Sequence, residues 1–193
     1  LNRGYDCFIK GRLEEAIDAY SQALRLQPHN AIAHYSLGVI YQSKGMLDEA
    51  ANSYRRAIQL DGDLAEAYYG LGTIYQAKLI LDKAANLYEK AIRIEPGLAE
   101  ARLQLAEAYL KLGRYQDALM RCEELLKETR DNERLALKAK EILDRAKRRL
   151  FSPPPPPPKS NPTTVNPSHK KRDSGMKLFR VSARLKLRRS QEI

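Results

Sequence analysis

Along the first 130 residues, apolar side chains return at helical spacing in short stretches. Leu37, Ile40 and Tyr41 share one face of one stretch, and Ala50, Tyr54, Ala57 and Ile58 share a face of the next. Between stretches of one kind stand Gly11, Gly45 and Gly113, residues that end a helix in the left-handed conformation at little cost. Between stretches of the other kind stand Pro28, Gly62 and Pro96. Glu14 with Glu15, and Asp48 with Glu49, fall just after the first kind of break, where carboxylates complement the positive end of a helix. The pattern predicts short helices in pairs.

The pairs recur every 34 residues. That step relates Gly4, Gly38, Gly72 and Ala106; Ala16, Ala50, Ala84 and Ala118; Tyr20, Tyr54, Tyr88 and Cys122; and Leu24, Ile58, Ile92 and Leu126. The units run over 1–30, 31–64, 65–98 and 99–130, the first of them truncated. Small residues stand where helices approach closely, and the tyrosines at 54 and 88 are expected to fill the space so left and join neighbours, each contributing roughly 1.5–3 kcal/mol by apolar burial. No pair buries its apolar face alone, so stability is expected from stacking. The ladders have breaks: Leu79 stands in the slot of Gly11 and Gly45, Arg102 in that of His34 and Tyr68, and Ala106 and Cys122 in the glycine and tyrosine slots of the last unit.

Leu37-Gly38-Val39-Ile40-Tyr41 with Ala50, Tyr54 and Ala57, and again Tyr68, Leu71-Gly72, Tyr75, Ala84, Tyr88, Ala91 and Pro96, resemble the tetratricopeptide repeat. The resemblance covers about residues 1–130 and implies an all-α, right-handed superhelical solenoid of helix pairs, with the first helix of each pair on the concave side. Residues 131–151, with Leu135, Leu137, Ile142, Leu143, Ala146 and Leu150 apolar, read as a capping helix over the last repeat. The implied groove would be lined by Tyr5, Phe8, Tyr35, Val39, Gln42, Tyr69, Thr73, Gln76, Leu103, Glu107 and Leu110. Rings beside amides suit a partner's extended peptide or short helix; the plainer alternative is that they close the groove on one another. One subfamily clamps the carboxylates of chaperone tails with Lys, Asn and Arg. Here those slots hold Tyr5, Ser36, Glu66, Gly70, Glu100 and Gln104, and acids repel a carboxylate, so no chaperone-tail binding is expected.

Charge changes the picture only beyond the repeats. The net charge is +10, yet residues 1–132 carry 17 Lys+Arg against 19 Asp+Glu, residues 133–150 carry 7 against 3, and the remainder 10 against 2. Pro153 to Pro158 open a Pro-rich linker over 152–167, expected to be an extended rod, and 168–193 read as a disordered basic tail. Lys170, Lys171, Arg172, Arg180, Arg184, Lys186, Arg188 and Arg189 carry that tail's charge. Its alternatives are a strand added to a partner's sheet, contact with an acidic protein, nucleic acid or an anionic surface, or an unspecific solvated segment.

Candidate chemistry is sparse. His29, His34 and His169 form no metal-ligand spacing, Cys7 and Cys122 occupy packing slots, and no phosphate-cradling glycine loop occurs, so neither metal nor cofactor is expected. The expected function is a non-catalytic interaction scaffold. The rivals are an adaptor acting through the basic tail and the recognition arm of a larger enzyme. Two cysteines, with no apolar run of membrane-crossing length, suggest an intracellular setting, cytoplasmic or nuclear. The chain opens at Leu1 inside a helix, consistent with further repeats or a targeting segment upstream.

Overall fold

The computed structural model describes residues 2–128 and 132–151. The expected Pro-rich linker and basic tail, with all eight cations named in it, lie outside the described residues. Helices α1 (Asn2–Ile9) and α2 (Leu13–Leu26), α3 (Ala31–Ser43) and α4 (Leu47–Leu60), α5 (Ala65–Ala77) and α6 (Leu81–Ile94), and α7 (Ala99–Lys111) and α8 (Tyr115–Glu128) pair in succession, followed by α9 (Glu133–Phe151). Each helix packs on the next in the chain, and α9 packs on both α7 and α8. Among the described residues there is no strand, and the fold is an all-α repeat solenoid.

Helices α3 and α9 start with a side-chain cap: Asn30 Oδ1 accepts from the Ala33 N–H at 2.9 Å and Asn132 Oδ1 from the Leu135 N–H at 3.1 Å. The helices beginning after Leu64 and Leu98 have no such bond, nor do α2, α4 and α6. Helices of 13 or 14 residues are marginal alone, so these are held by what they pack against.

The turns inside the pairs are left-handed, with φ of 72° at Gly11, 75° at Gly45 and 77° at Gly113. Leu79 keeps that geometry at φ 60° although it has a side chain, which costs about 1–2 kcal/mol. It gains little in return, being 76% exposed.

The core follows the ladders. Ala16, Ala50, Ala84 and Ala118 are fully buried, Tyr54 and Tyr88 are buried, and Cys122 fills the same slot in the last pair. A Cβ on Gly38 would stand 2.6 Å from the Tyr54 ring, and one on Gly72 would stand 2.6 Å from that of Tyr88, so these glycines are what admit the rings. Gly70 does the same, at 2.6 Å from Tyr54 Cζ, so glycines of two successive repeats admit that ring.

Helix α9 continues the 34-residue register as the first helix of an unfinished pair. Leu135, Ala139 and Ile142 repeat the buried slots of Ala101, Leu105 and Ala108. Leu137, read as part of the apolar face, is instead 61% exposed. It repeats the slot of Leu103, which α9 helps to bury, and no further first helix follows among the described residues to do the same for Leu137.

Candidate functional site

The first helices α1, α3, α5 and α7 place most of the expected groove residues on one face. Tyr35 and Tyr69, one repeat apart, are half-buried, and each rests on a buried ring: Tyr35 on Tyr54 and Tyr69 on Tyr88, both at 5.9 Å between centroids with interplanar angles of 42° and 43°. The repeated geometry follows from the repeated glycines beneath. Burial raises the Tyr35 hydroxyl above the ordinary phenol range, with Glu66 and Tyr69 adding to it; burial and then Glu100 do the same at Tyr69. Both rings present neutral hydroxyls near neutral pH.

At the amino-terminal end, Tyr5, Phe8, Tyr20, Tyr35, Ser36, Val39 and Ile40 line an aromatic recess of about 220 Å³. At the other end, Tyr69, Glu100, Leu103 and Gln104 meet Asn132, Arg134, Leu135 and Lys138 of α9 around a cleft of about 300 Å³. The contribution of α9 was not foreseen. A sequence signal for it exists, since the step of 34 leads from Glu66 and Glu100 to Arg134 and reverses the sign of the charge.

The expected amides are less available than their slots suggest. Gln42 is engaged at both ends, its Nε2 donating to Thr73 Oγ1 at 3.0 Å and its Oε1 accepting from the Tyr54 hydroxyl at 2.8 Å. The Thr73 hydroxyl in turn donates to the Gly70 carbonyl at 2.7 Å. Gln76 Nε2 donates to Gln104 Oε1 at 2.7 Å. Glu107 pairs with Lys111 at 3.0 Å. Leu103 and Leu110, expected as open lining, are 5% and 7% exposed and belong to the core around α7, because α9 lies against that helix. Of the expected set, Tyr5 (58% exposed), Phe8, Tyr35, Val39 and Tyr69 thus remain as accessible apolar lining.

The slots that another subfamily uses to clamp a carboxylate are otherwise occupied here. Glu66 and Glu100 are exposed acids, the Ser36 hydroxyl donates to the Ile32 carbonyl at 2.8 Å, and Gly70 is pressed against Tyr54.

The remaining candidates for chemistry are structural. His34 Nε2 lies 3.1 Å from the Pro28 carbonyl oxygen, which only accepts, so this nitrogen carries the proton and ties the turn to α3. Arg102, in the same slot, pairs with Glu128, and Tyr68 holds the Lys90 ammonium 5.6 Å from its ring centroid. Cys7 and Cys122 are buried free thiols. Burial, with Glu123 adding to it, pushes the Cys122 thiol up to about 11, so it is an unreactive packing residue. Among the described residues no cluster of His, Cys, Asp and Glu could hold a metal ion, and no helix is long and apolar enough to cross a membrane.

Comparison with known proteins agrees with this geometry. The crystal structure of the MamA protein is similar at 26% identity and a TM-score of 0.64, over 77% of this chain and 85% of that one. The first TPR of Spaghetti (RPAP3), solved with the HSP90 peptide SRMEEVD, is similar at 25% identity and a TM-score of 0.56, over 57% of this chain and 88% of that one. YrrB, described as a TPR protein with an unusual peptide-binding site, shares the fold at 24% identity and a TM-score of 0.61, over 74% of this chain and 80% of that one. No curated protein matches. Residues 4–45 and 43–78 match the family described as TPR repeat, and residues 81–141, extending into α9, match that described as Tetratricopeptide repeat. With helix pairs, left-handed turns and ring-on-glycine packing all recurring at one interval, this chain belongs to the tetratricopeptide repeat family.

Proposed function

We propose that the chain is a non-catalytic adaptor whose first-helix face docks an extended peptide or a short helix of a protein partner. The observation that carries this reading is the pair Tyr35 and Tyr69. Each is an accessible ring held in place by a buried one, so little side-chain entropy remains to be lost when a ligand covers it. The aromatic recess beside Tyr5 and Phe8 extends that surface towards α1. The RPAP3 domain, similar at 25% identity, is a repeat of this family holding a peptide. Scaffolding without catalysis is the general role of such repeats. The buried free thiols fit an intracellular, reducing setting.

Charge narrows the ligand. Glu66 and Glu100 flank the two rings, so an acidic tail like SRMEEVD is disfavoured on this face, and a neutral or basic segment with apolar anchors is favoured. The test begins with a partner identified by crosslinking and mass spectrometry from native extract. Its affinity for the Tyr35→Ala/Tyr69→Ala variant should fall by more than about tenfold, as expected when aromatic anchors of about 2 kcal/mol are removed. Unchanged affinity for a correctly folded variant overturns the reading. A labelled SRMEEVD peptide that binds the wild-type chain and is lost from this variant would leave the docking face in place and overturn only its preference for neutral or basic segments.

A further inference from the structure

Three arginines of α9 and one lysine of α7 line the same recess. Lys111, Arg145, Arg148 and Arg149, with Leu110 and Tyr115 as the remaining walls, enclose a cleft of about 490 Å³ in which no carboxylate takes part. It is set against the last residues of α7 and the last turns of α9, apart from the Tyr35 and Tyr69 face.

The charges nearby leave this cleft strongly cationic. Glu107 pairs with Lys111 at 3.0 Å, and Arg148 Nε donates to the Asp144 backbone carbonyl at 3.3 Å. Arg145 and Arg149 form no ion pair among the described residues, and both are exposed. Basic residues at a helix end normally offset the partial negative charge there, equivalent to roughly half an elementary charge per helix. Two helix ends therefore account for about one of the cations, and Arg145 lies more than a turn before the end of α9. The surplus is what a bound anion would neutralise.

We propose that this cleft is a second binding site, for a phosphorylated side chain of a protein partner. A phosphomonoester brings about two negative charges and three acceptor oxygens, which match the paired donors of the Arg145 and Arg149 guanidinium forks. The cations line a recess, which suits a protruding side chain better than a flat bilayer. Tyr115 is its one aromatic wall, too little to stack a run of bases. The site is independent of the first-helix face and would let one chain read two features of a partner.

The test uses the full chain and a fluorescein-labelled phosphoserine peptide, compared with the same peptide unphosphorylated, by anisotropy at physiological salt. The phosphorylated form should bind at least about tenfold more tightly, and Arg145→Gln/Arg149→Gln should remove that preference. Lys140→Gln/Lys147→Gln removes the same charge from α9 outside the cleft and should keep it, as should Tyr35→Ala/Tyr69→Ala. Equal loss in the two α9 double variants overturns the proposal, because it would show only attraction to net charge. Loss in the tyrosine variant also overturns it, by placing the phosphate on the other face. Phosphatidylserine vesicles form the last arm: binding to them that depends on Arg145 and Arg149, without a preference for the phosphopeptide, overturns the class of partner. Circular dichroism fixes the interpretation, since both arginines are exposed and their replacement should leave the helices intact.

Discussion

The junction that joins α3 and α4 to α5 and the one that joins α5 and α6 to α7 are built from the same slots and close differently. In the first, the Tyr54 hydroxyl, the Gln42 amide, the Thr73 hydroxyl and the Gly70 carbonyl form an unbroken relay. In the second, Tyr88 and Gln76 repeat Tyr54 and Gln42, yet the Tyr88 hydroxyl and Gln76 Oε1 are buried without a hydrogen-bond partner among the described residues. Two changes in the incoming helix account for it. Gln104 stands in the slot of Gly70 and draws the Gln76 amide to itself, and Glu107 stands in the slot of Thr73 and turns to Lys111. A repeat therefore carries its own half of each junction, and its neighbour decides whether that half is satisfied.

The largest expected effect probes the packing around Tyr54. Gly70→Val would place a side chain 2.6 Å from a buried ring that Gly38 also approaches closely, which leaves the ring little room to shift. A loss of about 2–3 kcal/mol is expected from such overpacking, read as a shift in the urea midpoint. The matching Gln104→Ala at the second junction removes one amide contact and should cost about 1 kcal/mol. Equal losses would erase the difference between the junctions.

Next comes a pair of identical changes with unequal outcomes. Tyr54→Phe strands the buried end of Gln42 and should cost about 1–2 kcal/mol, whereas Tyr88→Phe removes a hydroxyl that has no partner and should be neutral or slightly stabilising. If the two cost the same in chemical denaturation, the second relay is closed in solution and the contrast drawn from the structure is wrong.

The smallest effect separates the turns of the same two pairs. Leu79→Gly should stabilise the chain by about 0.5–1 kcal/mol, the left-handed strain relieved less the entropy that glycine adds to the unfolded state. Gly45→Leu should shift the melting temperature in the opposite direction. The same sign for both would mean that the exposed Leu79 side chain makes a contact that offsets its backbone strain.

Much of this architecture was open to reading because it repeats. Gly38 and Gly72 beneath Tyr54 and Tyr88, the turns at Gly11, Gly45 and Gly113, and the anomaly of Leu79 among them all followed from stepping along the chain by one period. The site was read less completely. Tyr35 and Tyr69 lie on the accessible face, but Gln42 and Thr73 are spent on joining repeats, and Leu103 and Leu110 lie within the core. A register says which side chains occupy equivalent places; it does not say which hydrogen-bonding groups are already engaged.

Periodicity in this chain thus dictated paired helices, their turns and the slots that small and aromatic residues must fill, because those requirements are local and recur with every unit. Which amides stay free, how α9 buries one end of the repeats, and how Lys111 comes to share a cleft with Arg145 and Arg149 were decided by packing between units. Contacts between side chains of neighbouring units depend on the angle and depth at which helices meet, and the period alone does not encode that.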